Sequence, residues 1–228
     1  LLHLVRLTLA GHGRVVARKL GIGVPARLEL ADLAAPETRL AHEATEWAEE
    51  ICPSLLLDHG RRGFLFADAI ARHHRQRPDR EALYLGCLLH DLGLAPRFDR
   101  GNEFERDGAD AAVELLAARG LFGARLRLVR EIIELHDAVH QAHRASIETR
   151  LAHFGIGVDV LGLRREDLHP DTLAAIVATW PRGSFRTDFP EILRDQVARK
   201  PQSHIARLVR LGLAEQIRAA PIPDGPSR

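Results

Sequence analysis

Helical periodicity recurs along this chain between breaks at Pro36, Pro53, Pro78, Pro96, Gly120, Pro170, Pro181, Pro190 and Pro201, and no run alternates with the two-residue period of a strand. The pattern restricts the chain to an all-α fold. Ser54 is placed to cap a helix running to about His74, and Asp79 to cap a second that ends near His90 and Asp91. Further helices are expected over about 105–119, 122–140, 151–161, 171–179 and 202–218. In the first two, Leu56, His59, Gly63 and Phe66, and then Leu83, Cys87 and His90, fall on one apolar face.

The run Ala82-Leu83-Tyr84-Leu85-Gly86-Cys87-Leu88-Leu89 ends in His90-Asp91. A histidine and an aspartate buried together are costly unless each finds a partner, and a divalent cation satisfies both. The pair therefore asks for further ligands, and His59 upstream and Asp159 downstream supply them. Two imidazoles and two carboxylates suit zinc, iron, manganese or cobalt in the divalent state, with positions left open for water and substrate. One ion per chain is expected.

The order H, then HD, then D, with 31 residues from His59 to His90 and 68 from Asp91 to Asp159, resembles the HD-domain superfamily of metal-dependent hydrolases. Four segments carry the resemblance: 52–62 around His59, 88–94 around His90-Asp91, Phe104-Glu105-Arg106-Asp107-Gly108-Ala109-Asp110, and Gly157-Val158-Asp159-Val160-Leu161-Gly162. They look like the cyanamide hydratase branch. The resemblance implies an HD-domain helical bundle over 37–170; outside it, an N-terminal extension, 1–36, a C-terminal helical extension, 171–220, and a tail, 221–228, that is flexible for want of core-forming residues are expected from the sequence pattern. It also implies zinc as the metal and a metal-bound hydroxide that adds to a small nitrile such as cyanamide, giving urea. The alternatives are phosphohydrolase chemistry on a nucleotide or other phosphate ester, and a non-catalytic or di-metal HD module. Against the phosphohydrolase, Leu94 stands where a lysine would follow the HD pair.

His136 lies where related enzymes carry an additional active-site histidine, and with Glu105 it is the candidate for catalysis, as proton donor. Glu105, Asp110 and Asp58 could each orient a ligand or a bound water. His153 with His136 would complete a two-metal centre, whereas His140 and His143 are expected to be exposed at a helix end. Arg61 and Arg62 follow the first ligand and are the candidates to hold substrate, an anionic one above all. His73 and His74 read as a solvated helix end.

Composition narrows the partners. Basic and acidic residues nearly cancel, 32 against 31, with no long run of either sign, so charge implies neither nucleic acid nor a membrane surface, and a small molecule is the expected partner. A homo-oligomer is compatible with this. Two cysteines are too few for a disulfide framework, and a cytoplasmic setting is the default expectation. The opening residues are interrupted by charge too early to span a bilayer and lack a signal-like cleavage pattern, and the missing initial methionine leaves room for residues upstream.

Overall fold

The computed structural model describes residues 23–226, except for the side chains of residues 139 and 140. The first 22 residues of the expected N-terminal extension, the side chain of His140 and the last two residues of the expected tail therefore lie outside the described part. The described residues form α-helices and short 3₁₀ turns and contain no strand. The helices are α1 (Arg39–Ile51), α2 (Ser54–His73), α3 (Arg80–Leu89), α4 (Phe104–Ala118), α5 (Gly123–Leu135), α6 (Val139–Ala142), α7 (Ile147–Leu161), α8 (Pro170–Thr179), α9 (Phe185–Arg199), α10 (His204–Arg210) and α11 (Leu213–Arg218). No helix among them is long and apolar enough to cross a membrane.

Local chemistry sets the ends. Thr38, Asp79, Ser146 and Ser203 each accept a hydrogen bond from the backbone N–H three residues on, at 3.2, 3.1, 3.1 and 3.3 Å, which satisfies one otherwise orphaned donor per helix. Pro53 rather than Ser54 holds the cap position of α2, one residue earlier than expected. The helix expected over 122–140 stops at Leu135, with His136 as its C-cap, and Gly212, in a left-handed conformation at φ +91°, divides the expected helix over 202–218 into α10 and α11. Pro190 lies inside α9 and does not end it, although proline forfeits a helical N–H there.

The main core is built where α2 runs against α7, with α3, α4 and α5 around them. Two glycines permit the close approach. A Cβ at Gly155 would stand 2.2 Å from the Gly63 carbonyl oxygen, and one at Gly60 would stand 2.7 Å from that of Cys87. Gly60 thus lets α2 sit on the end of α3, which brings His59 to the His90-Asp91 pair. A second apolar cluster joins Phe185, Phe189 and Leu193 of α9, Ile205 of α10 and Ile217 of α11 to Leu56, Leu94 and Phe104. The C-terminal extension therefore covers the side of the bundle that carries the pair.

The segment expected to be a flexible tail is tied down as far as it is described. Ile222 is 1% exposed and belongs to the main core, Arg165 donates to the Pro221 carbonyl at 2.8 Å, and the Arg182 N–H donates to that of Asp224 at 2.8 Å. The correction has a plain cause: an isoleucine between two prolines can be buried when arginines elsewhere satisfy the backbone carbonyls around it.

Candidate metal centre

His59 lies on the second turn of α2, His90 caps the C-terminus of α3, and Asp91 follows it. All three are buried. The His90 Nδ1–H donates to the Cys87 carbonyl at 2.8 Å, and the His59 Nδ1–H donates to Asp159 Oδ2 at 2.6 Å. Both rings therefore turn Nε2 toward Asp91, whose Oδ2 is 3.2 Å from that of His90 and 4.0 Å from that of His59. His59 Nε2 and Asp91 Oδ2 are buried with no hydrogen-bond partner. Orphaned polar atoms of this kind are expensive in a protein interior, and two nitrogens with one carboxylate oxygen are a donor set that a divalent cation fits. Burial resists ionisation of Asp91, but His90 and then His59 outweigh it and hold its pKa down to about 2.

Asp159 is placed differently. Fully buried on α7, it accepts from His59 through Oδ2, from Arg62 Nε at 3.0 Å and Nη2 at 2.7 Å, and from Arg182 Nε at 3.1 Å. Burial disfavours its charge, yet Arg62 and His59 reverse that and hold its carboxyl well below the usual range. In the structure it meets the protonated side of His59, away from the Nε2 that looks toward Asp91. The arrangement is that of a carboxylate fixing the tautomer and orientation of a ligand histidine. Arg182 had no sequence signal, because it lies in the irregular stretch after α8 and meets Asp159 only through the fold.

Neither arginine expected to hold substrate is unengaged. Arg62, 1% exposed, divides its donors between Asp159 and the carbonyls of Trp180 and Pro181, both at 3.1 Å. Arg61 pairs with Glu49 and with Asp58 at 3.3 Å, and its guanidinium stacks 4.2 Å from the centre of the Trp180 ring. Two adjacent helical positions point about 100° apart, so one goes to the core and the other to the rim.

His136 adjoins the cluster, with its ring centroid 4.7 Å from that of His90 and 5.8 Å from that of Phe104. Its Nδ1–H donates to the Ile133 carbonyl at 2.7 Å, which leaves Nε2 as an acceptor, and burial followed by the nearby His90 pushes its pKa down to about 3. At rest it is therefore an acceptor, where the sequence suggested a donor. Glu105, in the first turn of α4, is buried beside Asp137.

Residues 56–211 match the pattern of a known family, the HD domain. The chain belongs to the HD-domain family. It is 27% identical over 180 residues to the cyanamide hydratases DDI2 and DDI3 of Saccharomyces cerevisiae, and the alignment with each covers 76% of this chain and 79% of the relative. The chain is thus a metal-dependent HD-domain enzyme, similar over most of its length to these cyanamide hydratases, and its His90-Asp91 pair lies within the matched residues. The family match reaches past residue 170 and takes in α8, α9 and α10.

Within this HD domain, ligand atoms come within 4.8 Å of one another in two groups among the described residues, His59–His90–Asp91 and His73–His74–Asp167. In the second, the Arg164 guanidinium already pairs with Asp167 and lies 2.9 Å from His74 Nε2, where a cation would sit. His153 uses its Nδ1–H on the His136 carbonyl at 2.7 Å, and neither His153 nor His136 joins a metal group. His143 is half-buried against His153 and Phe154 and is not an exposed helix end. Asp110 pairs with Arg130.

Proposed function

We propose that this HD-domain enzyme adds water across the triple bond of a small neutral nitrile, with cyanamide giving urea as the type reaction. His59, His90 and Asp91 hold one divalent ion, and Asp159 orients His59. The observation that carries the substrate class is the surroundings of the centre. Phe185 and Phe189 stand 4.8 and 5.5 Å from the His59 ring and Phe104 lies beside His136, while Arg61 and Arg62 are engaged elsewhere. An aromatic cover suits a small uncharged molecule, and a phosphate ester would demand the guanidinium contacts that these arginines make with the protein. The similarity to two cyanamide hydratases supports the same reading.

A bound ion supplies Lewis acidity that brings the pKa of a coordinated water toward neutrality. The two histidines present Nε2 because Asp159 and the Cys87 carbonyl fix their tautomers. His136 offers an acceptor at the edge of the centre, and Phe185 and Phe189 exclude bulk water from the His59 side. Zinc fits two imidazoles and a carboxylate with an open position, and iron, manganese and cobalt are the alternatives that elemental analysis distinguishes. Two free cysteines suit a reducing, cytoplasmic setting.

The test is a substrate screen on metal-loaded protein. Urea formed from cyanamide, with no phosphate released from nucleoside mono- or triphosphates, is the expected result. Phosphate release without urea overturns the proposal in favour of a phosphohydrolase.

A further inference from the structure

Four buried polar atoms beside the metal centre have no hydrogen-bond partner: both carboxyl oxygens of Glu105, Asp137 Oδ2 and His204 Nε2. They come from three places in the fold. Glu105 is in the first turn of α4, Asp137 follows the C-cap of α5 and is adjacent in sequence to His136, and His204 is the first residue of α10. The backbone N–H of His204 donates to Glu103 Oε1 at 2.7 Å, which fixes the start of α10 against the start of α4. From there its Nε2 stands 3.7 Å from Asp137 Oδ2.

We propose that Glu105 and Asp137 share one proton and form the acid–base pair of the hydration, with His204 as the positioning residue that holds Asp137. This rests on the hydratase reading above. Two carboxylates buried side by side with no guanidinium or ammonium between them cannot both stay ionised at modest cost, so one keeps its proton. Burial first, and then Asp137, raise the Glu105 pKa; burial first raises that of Asp137 as well, against the interaction with Glu105, which lowers it, and the charges of Asp91 and Glu103 add to the rise. A second cation is the other way to satisfy the four atoms, but the ligand atoms of the three residues do not all lie within 4.8 Å of one another.

Hydration of a nitrile needs such a pair. An O–C bond forms, one C–N π pair moves to nitrogen, and nitrogen takes a proton, giving an isourea. The O–H of the isourea then gives up its proton, and nitrogen takes a second, giving urea. Each proton passes through the carboxyl pair, which returns to its starting state when the water that supplied the oxygen has released its other proton to it.

The experiment uses the full-length, metal-loaded protein and the variants Glu105→Gln, Asp137→Asn and His204→Asn. Turnover of cyanamide, metal content, thermal unfolding and the infrared carbonyl stretch of protonated carboxyls are measured. Glu105→Gln and Asp137→Asn should each lower kcat by about 10²–10⁴-fold, with metal content and KM close to wild type. His204→Asn should lower kcat by about tenfold and move the pH profile, and Glu105→Asp should restore part of the turnover lost in Glu105→Gln. A protonated-carboxyl band at neutral pH should be present in wild type and absent in Glu105→Gln. Unchanged turnover in folded variants overturns the proposal, and so does loss of metal in step with activity, which would make the carboxyls ligands of a second ion. Urea formation without the infrared band refutes the shared proton alone, whereas absence of urea from wild type removes the hydratase reading and the shuttle together.

Discussion

Asp159 and Glu105 are buried carboxyls of the same bundle in opposite surroundings. Asp159 receives N–H donors from His59 and Arg62 of α2 and from Arg182 after α8, so its charge is fixed and its position is held from two sides at once. Glu105 has a second carboxyl beside it and no cationic partner among the described residues. One arrangement makes a rigid frame for a ligand histidine. The other leaves a proton free to move. Burial alone does not decide what a carboxylate does; the sign of its nearest neighbour does.

The comparison is most easily broken at the frame. Arg182→Ala or Arg62→Ala leaves the fully buried Asp159 short of a partner, and each should cost about 3–5 kcal/mol in denaturant unfolding, with weaker metal retention because His59 is no longer aligned. A loss under about 1 kcal/mol would mean that Asp159 does not depend on these arginines.

Acid and base should act oppositely on the two carboxyls. The folded pKa of Asp159 is depressed, so its contribution is present above the unfolded value and is lost as the pH falls below the ordinary carboxylate range toward the folded value. The folded pKa of Glu105 is raised, so the folded protein binds its proton more tightly and stability falls as the pH rises above the ordinary value of 4.5. Glu105→Gln should therefore melt higher than wild type at pH 9, by on the order of 2 kcal/mol, and nearly equally at pH 4. Equal melting at both pH values would show that Glu105 is ionised in the fold.

The smallest effect is expected at Arg61. Its partner Glu49 is exposed, and the buried Asp58 keeps another interaction when Arg61 is removed, so Arg61→Ala should change stability by about 1 kcal/mol. It should leave KM for cyanamide as it was; a rise in KM would return this arginine to the substrate site.

The contrast also explains what the sequence made legible. Helices α2 and α3 and the meeting of His59 with His90 and Asp91 follow from local signals: the Asp79 cap of α3, apolar periodicity, glycines at the contact and adjacency in the chain. Asp159 was visible as a residue but not in its surroundings, because its partners Arg62 and Arg182 lie 97 and 23 residues away. Asp137 and His204 were missed for the same reason. The pairing of Asp137 with Glu105 depends on where α5 ends, and helical periodicity ran past that end. His204 comes from an extension that sequence periodicity marked only as helical. Ile222 shows the limit at the other end of the chain, where short-range composition reads as frayed and long-range hydrogen bonds decide otherwise.

The central claim is that His59, His90 and Asp91 hold one divalent ion while Asp159 serves as frame. Elemental analysis of purified wild type and of Asp91→Ala, with helical content checked by circular dichroism, tests it most directly. The account predicts about one ion per chain in wild type and almost none in a folded Asp91→Ala, because two imidazoles alone make an incomplete site. Full metal occupancy in folded Asp91→Ala would contradict it.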